Sequence, residues 1–366
     1  MTYSGLKKYT NFAQKSEKMT LQRIVSTNHP AKTLSELLNE MNYDRLFVLT
    51  DEHTSQLCYP LIEQATSEGT RIIIPAGDDN KHLDTLNHVW EELSSHGATR
   101  HSLLINLGGG MVTDLGGFAA ATYKRGIHYI NIPTTLLSMV DAAVGGKTGI
   151  NLQSLKNEIG VFCPADIVVV CASFLQTLDS TNLISGFAEM LKHGLISTEE
   201  HWAQLIRFDL NNPDFNELQQ LILKSIHTKE DIVKQDPTEQ HIRKALNLGH
   251  TLGHALETHY MRRGTPYLHG YAVAWGLIGE LYLSHVHEGF PADKLRQTIA
   301  NIKDTYGTPT FDCKQYDELY ELMLHDKKNL GTDIRFTLLG GIGDIHIDRT
   351  IGRDEIFEML DFVREC

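Results

Sequence analysis

The stretch LLINLGGGMVTDLGGFAAATYKRGIHYINIPTTLLSMVDAAVGGKTGINLQSLKN, residues 103–157, decides the fold. An apolar run ends in Gly108, Gly109 and Gly110, and a helix-like segment and a second apolar run follow it. Glycines between a strand and a helix let the backbone approach a phosphate, and the helix N-terminus favours negative charge. Because the spacing is not the common G-x-G-x-x-G, a plain tight turn is an equal alternative. The stretch predicts a buried strand, a turn and a helix.

Further apolar runs on both sides of this stretch predict a parallel sheet. Runs that are apolar throughout suit strands buried on both faces, and here they alternate with helix-like segments. That order is typical of a parallel sheet with helices on both faces. The predicted strands are Arg45–Thr50, Thr70–Ile74, Ser102–Asn106, Tyr129–Ile132 and Asp166–Cys171. We therefore expect a Rossmann-like α/β domain, rich in parallel strands, over residues 1–178.

The sequence changes character near residue 178, where long helix-like stretches begin to dominate. The predicted helices are Ser185–Leu195, Asn216–Lys234, Ile242–Thr258, Gly270–His287 and Ala292–Tyr306. The stretch IRFTLLGGIGDIHI, residues 334–347, predicts a β-hairpin instead. We expect residues 179–366 to form a second, mainly α-helical domain that binds metal and substrate.

Composition and charge argue against several classes of protein. The chain has 366 residues and a net charge of -13, whereas general nucleic-acid binding needs a basic surface. Its five cysteines are scattered and form no C-x-x-C pair, as expected for reduced thiols in the cytoplasm. No apolar segment has the length of a membrane helix. We expect a cytoplasmic protein that binds neither nucleic acid nor membranes.

Two histidines four residues apart suggest a metal site. His250 and His254, in NLGHTLGHALE, fall on one helix face, so both imidazoles can reach one ion. This is not the zinc-protease H-E-x-x-H, because Thr251 stands where the general base would be. Glu189 and His269 are further candidates, and three protein ligands are typical of a catalytic zinc site. Each histidine alone has a structural role as its alternative.

Acidic and basic side chains suggest a nucleotide and an anionic substrate. Asp51 follows the first predicted strand, where a carboxylate meets ribose hydroxyls or serves an ordinary turn. Asp114 can accept from a nicotinamide amide or face solvent. Lysine and arginine in a glycine-rich, low-charge context favour recognition of phosphate or carboxylate, with a solvated surface as the alternative for some of them. The candidate cations are Arg125, Lys147, Lys156, Lys192, Lys229, Arg243 and one of Lys327 and Lys328.

Together these residues resemble the 3-dehydroquinate synthase family of sugar-phosphate cyclases. The resemblance extends from about Arg45 to Ile347. It rests on the following motifs in this order: GGGMVTDLGGF, YKRG, IPTTLLSMVD, VGGKTGIN, LKNEIG, FLQT, GFAEMLKHG, RKALNLGHTLGHALE, LHG and DKKN. It implies an NAD-binding α/β domain, a mainly helical metal-binding domain, a homodimer, and an active site in the cleft between the domains.

The resemblance also implies roles for individual residues. Zinc or cobalt would be bound by Glu189, His250 and His269, and His254 would face the substrate instead. The implied substrate and catalytic residues are Asp141, Lys147, Asn157, Lys192, Lys229, Arg243, Asn247, His254, Lys327 and, from the other subunit, Arg125. The implied NAD-binding residues are Asp51, Asp78, Asp79, Asn80, Lys81, Gly109, Gly110, Met111, Val112, Thr113, Asp114, Thr134, Thr135, Lys147, Lys156, Phe174, Leu175, Gln176 and Thr177.

The chain departs from the family pattern at a few places. Tyr271 stands in HGY where the family usually has HGE, and Asp78 replaces a loop glutamate. Ala142 and Ala143 occupy positions where serine is frequent, and the segment before the third metal ligand is slightly longer. None of these changes removes a metal ligand or a pocket cation. We expect them to alter the shape of the pocket and not its chemistry.

The resemblance implies conversion of 3-deoxy-D-arabino-heptulosonate 7-phosphate to 3-dehydroquinate and phosphate, a step of the shikimate pathway. NAD would be reduced and reoxidised within one turnover. Three alternatives stay open: a metal- and NAD-dependent polyol dehydrogenase, another sugar-phosphate cyclase, and a non-catalytic NAD-binding module. The combination of Lys147, Lys229, Arg243 and Asn247 favours the conversion of the heptulosonate phosphate, because the carboxylate of that substrate requires a cation.

Overall fold

The computed structural model describes residues 22–153, 155–325 and 333–366 of the chain. Its strands are β1 (Arg23–Ser26), β2 (Leu46–Asp51), β3 (Thr70–Ile74), β4 (Leu103–Gly108), β5 (His128–Pro133), β6 (Lys147–Leu152), β7 (Leu155–Phe162), β8 (Ile167–Val170), β9 (Arg335–Gly341) and β10 (Asp344–Thr350). Its α-helices are α1 (Pro30–Glu40), α2 (Glu52–Leu57), α3 (Glu63–Thr66), α4 (Leu83–Ser95), α5 (Gly110–Thr122), α6 (Ser180–Leu195), α7 (Glu199–Arg207), α8 (Phe215–Gln235), α9 (His250–Arg262), α10 (His269–Glu288), α11 (Ala292–Tyr306), α12 (Tyr316–Leu324) and α13 (Arg353–Glu365).

Six strands form one parallel sheet in the order β1-β8-β5-β4-β2-β3. All residues of β4 and β8 are buried, as expected for strands covered by helices on both faces. The predicted parallel α/β fold with a helical second half is confirmed. The sequence analysis missed β1, because only Ile24 and Val25 of its four residues are apolar and both are half-buried at the sheet edge.

The strand order reverses beside β2, and this reversal positions a ligand crevice. β3 lies on one side of β2 and β4 lies on the other. In open parallel sheets, ligands bind outside the carboxyl ends of the strands at such a reversal. Asp51 ends β2 and Gly108 ends β4, so both lie at this crevice.

A separate antiparallel hairpin, β6–β7, is inserted between β5 and β8. Every residue of β7 is exposed, including the large apolar side chains of Leu155, Ile159, Val161 and Phe162. The sequence analysis did not predict this hairpin. Its segments KTGINL and LKNEIGVF contain glycine and lysine, and they have neither the continuous apolar character nor the strict alternation that indicates a strand.

Close helix packing builds the second half. A Cβ atom on Gly270 would lie 1.8 Å from the carbonyl oxygen of Ser185, so the start of α10 contacts the backbone of α6. Likewise, a Cβ on Gly276 would lie 1.9 Å from the oxygen of Gly249. Such contacts are possible only with glycine. They bring α6, α9 and α10 together, and these three helices carry the candidate metal ligands.

The predicted helix Ile242–Thr258 is wrong in one respect, because the chain turns at its middle. Residues 242–247 form a 3-10 turn, and α9 begins only at His250. Between them, Gly249 has a φ of +80° and lies against α10, where a Cβ would come within 2.8 Å of Leu277. The carboxylate of Glu280 accepts hydrogen bonds from the backbone N–H groups of Gly249 and Thr251 at 2.7 and 2.9 Å. The turn places His250 at the first position of the helix.

The remaining expectations concern the two halves and the last hairpin. β9 and β10 pair antiparallel where a hairpin was predicted. Helix α6 contributes Phe187 and Met190 to the apolar core around the sheet, and Ala188 and Leu191 to the core of the helical half. The domain division at residue 178 stays a prediction. None of the helices in the described residues combines the length and apolarity needed to span a membrane.

Candidate active site

Helices α6, α9 and α10 bring Glu189, His250 and His269 to one point. The Oε1 atom of Glu189 lies 3.3 Å from Nε2 of His250 and 3.4 Å from Nε2 of His269. One donor atom from each of the three side chains lies within 4.8 Å of the others. Ligand atoms around a tetrahedral zinc ion, at bond lengths of about 2.0–2.2 Å, stand about 3.3–3.5 Å apart. The spacing therefore fits a tetrahedral divalent ion.

Each imidazole of this set presents its Nε2 atom to Glu189. Nδ1 of His250 lies 3.1 Å from the carbonyl oxygen of Leu248, and Nδ1 of His269 lies 3.1 Å from Oε2 of Glu257. Because an oxygen acceptor fixes the proton on Nδ1, Nε2 keeps its lone pair for a metal. Glu189 and Glu257 together outweigh the effect of burial and raise the pKa of His269 to about 10. A divalent ion bound here would replace the proton that the Nε2 atom of His269 carries in the doubly protonated ring.

The carboxylate of Glu189 is fully buried and charged. Burial alone would raise its pKa, but the ammonium group of Lys192 and the ring of His250 hold the pKa well below its usual range. Oε2 contacts the Lys192 ammonium, whereas Oε1 accepts no hydrogen bond from any described residue. A buried carboxylate oxygen without a partner between two imidazole nitrogens is a metal-ligand arrangement.

His254 lies one helical turn after His250 and is not part of this set. Its ring centroid lies 5.3 Å from that of His250 and 6.0 Å from that of His269, and the side chain is half-buried. The structure thus places His254 beside the three ligands, on the same face of α9.

A second set of possible ligands shares Glu189. Donor atoms of Asp141, Glu189 and His193 also lie within 4.8 Å of one another. Lysine ammonium groups already contact both carboxylates of this set. His193 is buried, its pKa is held well below the usual range by burial, and neither ring nitrogen has a hydrogen-bond partner in the described residues. The sequence analysis missed His193, which follows Lys192 without any spacing that marks it.

Buried cations lie next to the metal candidates. Nζ of Lys229 donates to both the carbonyl oxygen and Oδ1 of Asp141 at 2.5 Å. Burial alone would raise the pKa of Asp141, but Lys229 holds it well below its usual range. Arg243 is also buried, and its two Nη atoms donate to the carbonyl oxygens of Pro237 and Gly145 at 2.7 and 3.2 Å. Its Nε atom has no hydrogen-bond partner in the described residues.

Glu239 joins two further candidates, and the sequence analysis missed it. Its carboxylate contacts the ammonium of Lys147 and accepts from Nδ2 of Asn247 at 3.2 Å. Burial raises the pKa of Glu239, but Lys147 more than compensates, so the net pKa is lowered. Glu239 lies in a polar loop, and only its position four residues before Arg243 could have drawn attention to it.

The glycine turn at the end of β4 is open to an anion. Gly109 is the N-cap of α5 and provides no side chain for capping, so the first N–H groups of the helix point outward. A Cβ on Gly109 would lie 3.1 Å from Thr135, and one on Gly110 would lie 3.3 Å from Ala142. Met111 is half-buried on this helix, whereas Val112 and Thr113 are buried.

Asp51 has a structural role at the same crevice. Its side chain accepts from the N–H of Thr54 at 2.7 Å, and its own N–H donates to the Thr54 hydroxyl at 3.0 Å. This capping box begins α2. The ordinary turn interpretation therefore applies, and the same carboxylate still lies at the strand reversal.

Lys81 organises the loop that follows β3. Its buried ammonium lies 3.2 Å from carboxylate oxygens of both Asp78 and Asp114 and donates to Oδ1 of Asn157 at 2.7 Å. Asp114 does not face solvent, because its side chain is 17% exposed and contacts lysine. Its contact with a nicotinamide amide stays a prediction. Burial raises the pKa of Asp114 to about 6, against the opposing effect of Lys81. Asp79 is exposed at the outside of this loop.

The other nucleotide-binding candidates follow the ends of β3, β5 and β8. Thr134 donates its N–H to the carbonyl oxygen of Gly108 at 3.0 Å. Phe174 and Leu175 are buried in the core, whereas Gln176 and Thr177 are exposed beside them. Asn80 donates to the carbonyl oxygen of Ala76 at 2.7 Å, and Thr135 hydrogen-bonds to Ser138 at 2.9 Å.

Comparison with known proteins identifies the family. The family model described as 3-dehydroquinate synthase N-terminal matches residues 71–185, and the C-terminal model matches residues 186–329. The 3-dehydroquinate synthase of Parabacteroides distasonis is 50% identical over 349 residues, covering 95% of this chain and 99% of the relative. This chain belongs to the 3-dehydroquinate synthase family.

Solved structures show the same fold. A 2-epi-5-epi-valiolone synthase from Streptomyces hygroscopicus, with NAD+ and Zn2+ bound, superposes with a TM-score of 0.82 at 23% identity, covering 100% of this chain and 99% of that one. A 2-deoxy-scyllo-inosose synthase complexed with carbaglucose-6-phosphate, NAD+ and Co2+ gives 0.81 at 22% identity, covering 93% and 96%. The predicted family and fold are confirmed.

Arg125 and Lys327 are the remaining residues that the family resemblance assigns to the site. Arg125 is exposed with a φ of +70°, in a surface concavity that it lines with residues 98–100 and Lys124. In the described part of a single chain, Arg125 does not contact the buried cations Lys192, Lys229 and Arg243. Lys327 and Lys328 lie outside the described residues.

Tyr271 is the clearest departure from the usual family pattern. It packs in an aromatic cluster, with its ring centroid 5.3 Å from Tyr306 and 6.2 Å from Trp275. Where the family resemblance predicts an acidic residue, the chain has a half-buried aromatic side chain that packs against the core of the helical half.

Proposed function

We propose that this chain converts 3-deoxy-D-arabino-heptulosonate 7-phosphate to 3-dehydroquinate and inorganic phosphate. The observation that carries the proposal is the triad Glu189, His250 and His269, with Glu189 fully buried, beside the buried cations Lys192, Lys229 and Arg243. A polyol dehydrogenase has no need for such a cluster, whereas a phosphorylated keto acid presents two anionic groups to it. Membership of the 3-dehydroquinate synthase family supports the same reaction.

The triad would hold a zinc or cobalt ion. Its separations fit tetrahedral coordination, and the unpartnered Oε1 of Glu189 supplies a charged ligand. Structural relatives that contain Zn2+ or Co2+ support this choice. When bound, the ion would polarise hydroxyl and carbonyl oxygens of the substrate. Lys192 and Asn247 would orient the same hydroxyls from either side.

NAD would bind at the strand reversal. Gly109 and Gly110 and the free N–H groups of α5 would receive the pyrophosphate, and Asp51 would receive ribose hydroxyls. The remaining candidates, from residues 78–81, 134–135 and 174–177, line the neighbouring strand ends. When bound, NAD would accept hydride from the substrate and return it later in the same turnover, with no net oxidation.

The cations would position the two ends of the substrate. Lys147, Lys229 and His254 would hold the phosphate. Arg243 would hold the carboxylate through its Nε atom and one Nη atom, which would give up its hydrogen bond to a backbone carbonyl oxygen. Because the same groups would hold the molecule through elimination, ring opening and aldol closure, their main contribution is orientation.

We also propose that the chain acts as a cytoplasmic homodimer. The exposed apolar side chains of β7 form a patch that a second copy would cover, and the five cysteines form no disulfide. Arg125 would reach the phosphate of the other subunit. The substitution Arg125→Ala should raise the apparent KM for the substrate about tenfold or more, because it removes one charge-assisted hydrogen bond to the phosphate. The neighbouring Arg100→Ala is the control, and unchanged KM in Arg125→Ala would remove that residue from the site.

The reaction is tested by phosphate release from the heptulosonate phosphate with catalytic NAD and added zinc or cobalt. Absorbance of NADH is followed in parallel. Stoichiometric phosphate without accumulating NADH is the expected result. NADH that accumulates on simple polyols, without phosphate release, would instead indicate a dehydrogenase.

A further inference from the structure

Glu257 lies at the junction between the metal triad and the nucleotide half of the chain. It stands on α9 seven residues after His250, so it shares the helix face of His250 and His254. Its Oε2 atom lies 3.1 Å from Nδ1 of His269, and its side chain is 16% exposed. The resemblance to the family gave Glu257 no role.

The contact with His269 has a direct consequence for metal binding. A carboxylate that accepts from Nδ1 fixes the tautomer and orientation of the ring and makes Nε2 more basic. His269 begins α10 and follows a loop of exposed residues, so its ring has little other support on that side. Glu257 therefore determines whether Nε2 of His269 faces Glu189, from which it is 3.4 Å away.

The other oxygen of Glu257 contacts the nucleotide half. Oε1 accepts from Nζ of Lys156 at 2.7 Å, and the same ammonium lies 3.7 Å from Oδ2 of Asp78. Lys156 belongs to β7, and the next residue, Asn157, accepts from the buried ammonium of Lys81. Through these contacts, a continuous series of charged groups extends from the 78–81 loop to the metal triad.

The charges of this series are mutually stabilising. The carboxylate of Glu257 lies between the ring of His269 and the ammonium of Lys156, at 3.1 and 2.7 Å. The pKa of Lys156 is raised, because Glu257 and Asp78 outweigh the effect of burial. Glu257 is thus a carboxylate shared between a metal ligand and a lysine of the nucleotide half.

We propose that Glu257 is a positioning residue for His269 and that its bridge to Lys156 couples the two cofactor sites, so that NAD and the metal ion each strengthen binding of the other. The proposal rests on the proposed function only in taking the triad as the metal site and the strand reversal as the NAD site. The ion pair of Lys156 with Glu257 joins the β6–β7 hairpin to α9, and Asp78 of the 78–81 loop lies 3.7 Å from the same ammonium. A ligand that stabilises this docked arrangement at one site lowers the cost of ordering at the other.

The coupling is measured by binding and not by turnover. Zn2+ is titrated into the metal-free full chain in competition with a chromophoric chelator, with and without saturating NAD. We expect NAD to tighten Zn2+ binding about fivefold or more, and Zn2+ to tighten NAD binding by the same factor. Glu257→Gln should bring this factor close to one, because the amide cannot form the ion pair with Lys156. Lys224→Met, which removes a lysine that bridges α7 and α8, is the matched control and should keep the factor.

The positioning role has a separate readout. Without NAD, Glu257→Ala should weaken Zn2+ binding about 10- to 100-fold. Glu257→Gln should recover part of this loss, because its amide oxygen still accepts from Nδ1 of His269. The visible spectrum of bound Co2+ should change in the alanine variant, since the spectrum reports the ligand geometry.

Several outcomes would overturn the inference. Equal Zn2+ affinity with and without NAD in the unsubstituted chain would exclude the coupling, and so would a factor that Glu257→Gln leaves unchanged. Unchanged Zn2+ affinity in Glu257→Ala would exclude the positioning role. A chain that shows the coupling but releases no phosphate from the heptulosonate phosphate would refute the proposed reaction and leave this inference standing.

Discussion

The metal triad and the nucleotide crevice are built in different ways. The triad consists of side chains on three helices that pack at backbone contact, and its central carboxylate oxygen has no hydrogen-bond partner in the described residues. At the crevice, the polar groups already have structural partners: Asp51 caps α2, and Lys81 contacts Asp78, Asp114 and Asn157. Substitution of a triad histidine should therefore mainly remove chemistry, whereas substitutions at the crevice should change chemistry and stability together.

The largest expected effect follows from removal of a triad ligand. His250→Ala should abolish metal binding and lower kcat by about a thousandfold or more, because an ion that polarises the substrate contributes several kcal/mol. The chain should remain folded, since the packing of α9 against α10 does not require the ring. Metal content and kcat are measured beside the exposed His53→Ala. A metal-free His250→Ala protein with full activity would contradict the ligand assignment.

Lys229→Met tests whether the ion pair of Lys229 and Asp141 beside the triad contributes to activity alone or to activity and stability together. The substitution leaves the half-buried Asp141 without its partner, so we expect a loss of about 1–2 kcal/mol in the free energy of unfolding. Activity should fall about a hundredfold. The double variant with Asp141→Asn should recover most of the stability and none of the activity, as measured by urea unfolding and kcat/KM. Recovery of activity would show that Lys229 acts only on Asp141.

The parts of the molecule that could be predicted from the sequence are those with a local signal. The buried strands and the donors Glu189, His250 and His269 carry strong local signals, namely continuous apolar runs and metal-ligand residue types. Glu239 and Glu257 carry none, because their partners are distant in sequence and only packing brings them together. The break at Gly249 was missed because helix periodicity continues across it, and close contact with α10 decides the turn.

Asp114 should give the crevice a distinct dependence on pH. Its pKa in the folded protein is about 6, above the ordinary value of 3.8, so the folded state binds its proton more tightly than the unfolded state. Its contribution to stability is fully present below pH 4 and is lost as the pH rises through 6, in total on the order of 2–3 kcal/mol.

Asp114→Asn should remove this part of the dependence. Urea unfolding of both proteins between pH 4 and 7, without added NAD, gives the difference in slope, with the exposed Asp84→Asn as control. A difference in stability that stays constant over this range would contradict the raised pKa.

Asp51 should show the smallest effect and the clearest combination of two roles. Asp51→Ala removes the capping box and should cost about 1 kcal/mol of stability, whereas Asp51→Asn keeps a good N-cap and should cost only a few tenths. If the carboxylate also binds ribose hydroxyls, both variants should weaken NAD binding by a similar factor. Asp214→Ala, which removes the N-cap of α8, should match the stability loss of Asp51→Ala and leave NAD affinity unchanged. Normal NAD affinity in Asp51→Asn would mean that Asp51 serves only the helix, and the crevice would then bind its ligand through the glycine turn and the residues of the 78–81 loop.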